Sequence, residues 1–303
     1  MILILLLYFL IATTFIFGKL LLAFVPPIFL IAIRMILSGI CLLLFYVLFS
    51  SKPIFRRRRD YLYLLGVSIF HILIPFTTEY IALESINPSG VCLFYNLSPI
   101  FSAFYSYVFF KEQMTSKKWV GLGVSLLGII YFTTPTLFTN PSSLLSAQLS
   151  VAHLLMFISV ATASLGWILV RVLVKNRGFS PLFVNGIAML SGGVFALPLS
   201  SAFEGKVDLF AIESKGFFCL LLGALIILAN VVFYNLYSYL LKKYTATILA
   251  FFGLLTPLFV VILEYLFLDI PISYTFFMSV LIISFGIYIF YQEELQQGYI
   301  TLD

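Results

Sequence analysis

Glu84–Phe132 reads ESINPSGVCLFYNLSPIFSAFYSYVFFKEQMTSKKWVGLGVSLLGIIYF, two apolar runs joined by a short basic turn. Each run has about the length that a helix needs to cross the hydrocarbon layer, ~20 mostly apolar residues. The first carries Leu97-Ser98-Pro99 at its middle, and the second carries Gly121 and Gly128. Displaced by 158 residues, without a gap, the pattern returns as KYTATILAFFGLLTPLFVVILEYLFLDIPISYTFFMSVLIISFGIYIF. Leu97-Ser98-Pro99 falls on Leu255-Thr256-Pro257, Phe101 on Phe259, Tyr107 on Tyr265 and Gly128-Ile129 on Gly286-Ile287. A pattern repeated at a fixed offset predicts a chain built from two copies of one unit.

Working outward from that stretch, the chain is 62% hydrophobic and 10% charged, with a mean hydropathy of +1.14. No soluble core hides that much apolar surface, so the composition predicts a polytopic, all-α integral membrane protein. Ten transmembrane helices can be placed, at approximately 2–23, 27–49, 61–83, 86–110, 116–133, 150–174, 180–200, 216–241, 244–268 and 272–291. Little is left for a soluble domain. The N-terminal MILILLLYFLIATTFIFG lacks the basic lead and small-residue cleavage site of a signal peptide and is expected to stay as the first span. Cys41, Cys92 and Cys219 fall in three different spans without metal-ligand spacing, so no metal and no cofactor are expected.

Lys and Arg fix the orientation. With the N-terminus in the cytoplasm, the inner side collects Lys52, Arg56–Arg59, Lys111, Lys117, Lys118, Arg171, Lys175, Arg177, Lys242 and Lys243, while the outer side holds Lys206 and Lys215. Both termini are therefore predicted to be cytoplasmic. The net charge of +5 follows from this asymmetry and implies membrane lipid, with no nucleic acid as a partner. Five spans per copy is an odd number, so the second copy enters the bilayer from the opposite face. Inverted repeats of that kind surround a midplane substrate site in secondary transporters.

Certain residues carry a likeness to a known family: Gly18-Lys19, Pro26-Pro27 and Ala32-Ile33-Arg34-Met35, then Ser98-Pro99 with Phe110-Lys111-Glu112-Gln113-Met114-Thr115, Trp119 and Gly121, then Leu255-Thr256-Pro257 with Gly286. In their order and spacing the chain resembles the EamA type of the drug/metabolite transporter superfamily. The resemblance implies ten helices as two inverted five-helix repeats, here 1–134 and 150–292, followed by a tail at 293–303. It departs at Leu268-Asp269-Ile270-Pro271, where the family usually has a Gly-Glu turn. It also implies a small-molecule substrate that is a polar metabolite or drug, and a multi-pass protein of a bacterial inner membrane, as a monomer or homodimer. Some relatives in the superfamily, in intracellular bacteria, take up S-adenosylmethionine. The abundance of Phe, Ile and Tyr points to an AT-rich bacterial genome of that sort, which makes amino-acid-derived compounds such as S-adenosylmethionine candidates for uptake or exchange, with export of drugs or other metabolites as the alternative.

Ionisable groups inside a membrane are costly and face a partner or a cavity. Arg34 lies about 10 Å in from Pro27 at ~1.5 Å per residue, and Lys19, Glu79 and Glu264 fall in the same outer zone, with Glu84 at its rim. Two outcomes are open: these charges pair among themselves or snorkel, or Lys19 or Arg34 holds a substrate carboxylate while Glu79 or Glu264 faces a cation. Asn96, Asn230 and Asn235 are further candidate substrate-binding groups. Glu79 and Glu264, and then His71, are the candidates for proton coupling. Pro99 and Pro257 predict helix interruptions at matched places. No Gly-x-x-x-x-Gly-Lys-Ser/Thr, Gly-x-Ser-x-Gly or His-Glu-x-x-His motif occurs, so no catalytic residues are assigned. A membrane-embedded enzyme would need His71 to share a face with an acid such as Glu79, a spacing that matches no known motif. A channel is the remaining rival to a secondary transporter.

Overall fold

The computed structural model describes residues 2–49, 58–110, 113–133, 150–208, 212, 214–243, 253 and 255–298. Expectations resting on Lys52, Arg56 and Arg57, on Lys111-Glu112, on the Thr134–Leu149 loop, on 244–252 of the ninth span and on the tail beyond 298 lie outside the described residues. The helices are α1 (Ile2–Leu21), α2 (Pro27–Phe49), α3 (Arg58–Val67), α4 (Ile74–Ser85), α5 (Pro88–Tyr95), α6 (Ser98–Phe110), α7 (Ser116–Thr133), α8 (Val151–Arg171), α9 (Pro181–Phe203), α10 (Lys215–Leu225), α11 (Tyr234–Lys243), α12 (Thr256–Leu268) and α13 (Tyr274–Gln296). Single π-helical stretches, Ser68–Leu73 and Ile226–Phe233, join α3 to α4 and α10 to α11. A third, Val172–Asn176, ends α8. Among the described residues there is no strand.

The protein is all-helical and membrane-spanning. Among the described residues six helical stretches have the length and apolarity to cross a bilayer: Pro27–Phe49, Arg59–Ser85, Val151–Asn176, Pro181–Phe203, Lys215–Leu240 and Tyr274–Glu293. Leu5–Leu21 and Thr256–Leu268 are shorter apolar helices. Their outward faces carry Val47, Leu62, Leu220 and Leu281 in the open, as a surface solvated by lipid tails allows.

Local chemistry sets the ends. Pro88, Pro181 and Pro257 occupy first turns, where a missing N–H leaves nothing unpaired. Pro27 opens α2, and the Ile28 and Phe29 amides donate to the two carboxylate oxygens of Glu204 at 2.6 and 2.9 Å. Those amides would otherwise be orphan donors at a helix start. The span expected at 86–110 breaks after Tyr95. Asn96 and Leu97 turn back onto the Leu93 and Phe94 carbonyls, and α6 restarts at Ser98. Near the start of α3, buried Asp60 accepts from Arg177, whose guanidinium carbon sits 4.7 Å from the Tyr63 ring centroid.

The 158-residue offset seen in the sequence governs the helices too. α6 and α12 begin and end that far apart, α7 and α13 begin that far apart, and so do the π stretches at Ser68 and Ile226. Two helix pairs lie along each other: α7 on α13, matched at that offset, and α2 on α9, whose starts at Pro27 and Pro181 fall four residues short of it. Their crossings are reciprocal. A Cβ on Gly128 would meet Ile283 at 2.6 Å, and one on Gly286 would meet Ser125 at 2.4 Å, the same pair of positions with the halves exchanged. In the other pair, a Cβ on Gly39 would lie 2.4 Å from the Leu190 nitrogen and one on Gly193 2.8 Å from the Ile36 nitrogen. Gly121 approaches Gly286 while Gly128 approaches Ile283, so α7 and α13 run antiparallel. Backbones this close are what a bundle without a hydrophobic drive between its helices uses for cohesion. Two apolar cores result, and α1 and α8 serve both: Leu7 and Val170 pack in one, Phe15 and Val160 in the other.

Candidate functional site

Arg34 is the largest fully buried side chain, 2% exposed, on the face of α2 that meets α4 and the π stretch before α11. Its Nε donates to Asn230 Oδ1 at 2.8 Å and its Nη1 to the Tyr80 hydroxyl at 2.7 Å. The guanidinium carbon lies 5.1 Å from the Phe76 ring centroid and 5.7 Å from that of Tyr80, within cation–π range. Asn230 is itself fixed, with Nδ2 directed at the sulfurs of Met35, 3.3 Å, and Met189, 3.6 Å. Among the described residues Arg34 has no carboxylate within ion-pair distance. A guanidinium has five N–H donors, and Nε and Nη1 are the two nitrogens that Asn230 and Tyr80 engage.

Glu79 lies on the same helix as Phe76 and Tyr80, three and one residues away, and is 6% exposed. Tyr95 at the end of α5 donates to Glu79 Oε2 at 2.6 Å. The Tyr95 hydroxyl also meets Ser159 of α8 at 3.0 Å, and Ser159 donates to the Pro75 carbonyl at 2.9 Å. A buried cation and a buried carboxylate therefore stand near each other, each held by neutral hydrogen bonds and close enough to interact electrostatically.

Beyond Phe76 the site continues as rings. Phe76 and Tyr234 have centroids 6.3 Å apart, and Tyr234 stacks on Trp167 at 5.4 Å. His71 meets Trp167 edge-on at 4.3 Å and Tyr234 at 5.4 Å, and Tyr237 closes on Trp167 at 4.5 Å. His71 sits in the first π stretch and Tyr234 directly follows the second. Pro75 gives a cause for the first: it cannot donate to the His71 carbonyl, and the local pattern widens, with the Ile74 amide reaching back to Ile69. The second forms without a proline.

The other expected site residues lie elsewhere. Lys19 donates to the Leu83 and Glu84 carbonyls at 2.5 and 3.1 Å, covering the C-terminal end of α4. Glu264 is buried on α12 beside Ser89, in the first turn of α5, which directs its hydroxyl and amide at the carboxylate. Its Oε1 has no hydrogen-bond partner among the described residues. Glu264 and Glu79 both come within electrostatic reach of Cys92. Asn235 donates to the Val231 carbonyl at 2.8 Å and accepts from Asn185 at 3.4 Å, a separate polar patch. Asn96 caps α5 with its Nδ2 unpaired. Pro257 lies in the first turn of α12, and the backbone at Pro99 lies in that of α6. Phe76, Ser159, Met35 and Met189 were not foreseen as parts of the site. The spacing of Phe76, Glu79 and Tyr80, which puts them on one helix face, was the signal available for the first.

The sequence pattern of the EamA-like transporter family matches residues 1–134 and 150–292. The chain belongs to the EamA-like transporter family. This bears out the resemblance carried by the Gly18-Lys19, Ser98-Pro99 and Leu255-Thr256-Pro257 segments. The EamA-like transporter is 31% identical over 278 residues to a protein of Chlamydia muridarum named S-adenosylmethionine/S-adenosylhomocysteine transporter, covering 90% of this chain and 86% of that one. A Chlamydia trachomatis protein of the same name is 30% identical over 278 residues, with 83% of its length covered. A Bacillus subtilis protein, the uncharacterized transporter YdfC, matches at 31% identity over 32% of this chain. A solved crystal structure shares the fold, with a TM-score of 0.58 at 13% identity, over 93% of this chain and 95% of its own.

Proposed function

We propose that this transporter moves S-adenosylmethionine and S-adenosylhomocysteine across a bacterial inner membrane, by uptake or by exchange of one for the other. The observation that carries the proposal is Arg34, buried without a carboxylate partner among the described residues and held by Tyr80 and Asn230 so that its planar fork is fixed. Both compounds carry a carboxylate that such a fork can hold through two parallel hydrogen bonds. Glu79, steadied by Tyr95, would face the ammonium group, with Glu264 and Lys19 flanking the entry. The names of the chlamydial relatives, matched along most of the chain, support the substrate class.

For the architecture we take ten spans in two inverted repeats, 1–134 and 150–292, with both termini and the 293–303 tail in the cytoplasm. The antiparallel, reciprocal packing of matched helices supports the inversion. Transport runs on a substrate or ion gradient, and Glu79, Glu264 and, third, His71 are the groups through which a proton would be coupled. The working unit is a monomer or homodimer.

The test is exchange in proteoliposomes loaded with unlabelled S-adenosylhomocysteine. Labelled S-adenosylmethionine should enter saturably and much faster than into liposomes preloaded with buffer alone. Absence of saturable entry under both loadings, with protein correctly inserted, would refute the substrate assignment.

A further inference from the structure

We infer that the ring cluster of His71, Trp167, Tyr234 and Tyr237 is the subsite for a flat purine base, the end of the substrate opposite the carboxylate held by Arg34. The inference rests on the substrate reading above and adds to it the part of the site that selects the base.

His71 carries the case. It is 2% exposed, and at strict geometry neither ring nitrogen has a hydrogen-bond partner among the described residues, one of them making a weak approach to the backbone of Ala163. Buried polar groups are nearly always satisfied, and each one that is not costs free energy that an apolar ring of the same bulk would avoid. Ring packing alone would be served as well by a phenyl group, so the imidazole nitrogens call for a further reason. The backbone of α8 is pressed against position 71, since a Cβ on Gly166 would come within 2.4 Å of His71 Cβ and 2.6 Å of its Cα.

The neighbours define what the imidazole could read. Trp167, Tyr234 and Tyr237 offer flat apolar faces, and bases stack on aromatic side chains irrespective of sequence. A neutral imidazole presents one donor and one acceptor pointing to different sides, so one of them can meet the amino donor or the ring-nitrogen acceptor at the edge of adenine. An aliphatic substrate would leave the nitrogens unmet, and so would a plain phenyl ring. In this arrangement the rings touch one another, so a base enters by parting them. His71 lies within a π-helical stretch and Tyr234 directly follows one. Such stretches occur often at functional sites, where the wider hydrogen-bond pattern departs from the regular helix. Through Phe76 the cluster is continuous with Arg34, so one elongated ligand would span both.

The chain has two tryptophans, and Trp119 is half exposed away from the cluster, so Trp119→Phe leaves Trp167 as a single reporter. In nanodiscs, adenosine and S-adenosylhomocysteine should change Trp167 emission saturably and methionine should not. His71→Phe keeps a ring and loses both nitrogens; it should weaken adenosine and S-adenosylhomocysteine by about tenfold or more while leaving competition by methionine unchanged. If S-adenosylhomocysteine raises the melting temperature of the native protein yet Trp167 emission does not move and His71→Phe binds it equally well, the base lies elsewhere; the inference then fails with the substrate reading intact. If neither nucleoside binds the native protein by either readout, both fall. Should His71→Phe not fold, the titration of Trp167 in the Trp119→Phe protein decides alone.

Discussion

A guanidinium inside a bilayer-spanning bundle is tolerated only where its N–H groups are met, and Arg34 meets neutral oxygens of Asn230 and Tyr80. This arrangement retains the positive charge and fixes its direction, which suits an anion that arrives and leaves. Arg34→Lys keeps the charge and loses the fork. It is expected to weaken S-adenosylmethionine by roughly 1.5–3 kcal/mol, the worth of hydrogen bonds to a charged group, and its decarboxylated analogue far less. Competition against labelled substrate in proteoliposomes reads this difference, and equal losses for the two compounds would make Arg34 a structural residue. At this scale the sequence was informative in proportion to how rare a residue type is within the spans. Arg34, Glu79, His71 and Asn230 stood out because intramembrane polar groups are few. Phe76 did not, because aromatics make up 18% of the chain and one ring looks like another. Lys19 shared the depth of Arg34 in the sequence, yet backbone carbonyls at the end of α4 claim its ammonium. Depth along a helix says nothing about which neighbour is nearest.

Among the elements, breaks were legible where proline writes them and illegible where only the hydrogen-bond pattern changes. Pro99 and Pro257 marked two interruptions within spans that hydropathy alone left continuous, whereas the π stretch at Ile226–Phe233, apolar apart from Asn230 and without a proline, carries no such mark. The departure at Asp269 has a local consequence of its own. α12 ends there with Asp269 at φ 53° and ψ 28°, the left-handed conformation that glycine adopts freely and other residues adopt at a cost. This chain meets that conformation with an exposed aspartate. Asp269→Gly is expected to stabilise the protein by about 1 kcal/mol, part of the left-handed cost being offset by the greater freedom of glycine in the unfolded chain. Thermal melting in detergent measures it, and a lower melting temperature would mean that the Asp269 carboxylate makes a compensating contact.

For the whole molecule, the decisive relation is between a sequence offset and a direction in space. Helices matched at 158 residues pack side by side and antiparallel, α7 on α13, as the proposed inverted repeat requires. Lys117 at the start of α7 pairs with Glu293 near the end of α13 at 3.3 Å, which puts these two ends at one face. Lys206 follows α9 beside Glu204, the residue that meets the start of α2. Under the proposed orientation the first face is cytoplasmic, because it gathers most of the lysines and arginines, and Lys206 lies outside. Both side chains are exposed, so labelling reports side and not burial. In a background with Cys41, Cys92 and Cys219 replaced, Lys206→Cys should react with an impermeant maleimide in intact cells, and Lys117→Cys should react only after permeabilisation. Reaction of position 117 from outside with position 206 protected would reverse the whole molecule in the membrane, leaving the antiparallel pairing untouched. Reaction of both from the same side would break the proposed ten-span inverted repeat, because five spans per copy require the loop after α9 and the turn before α7 to lie on opposite faces.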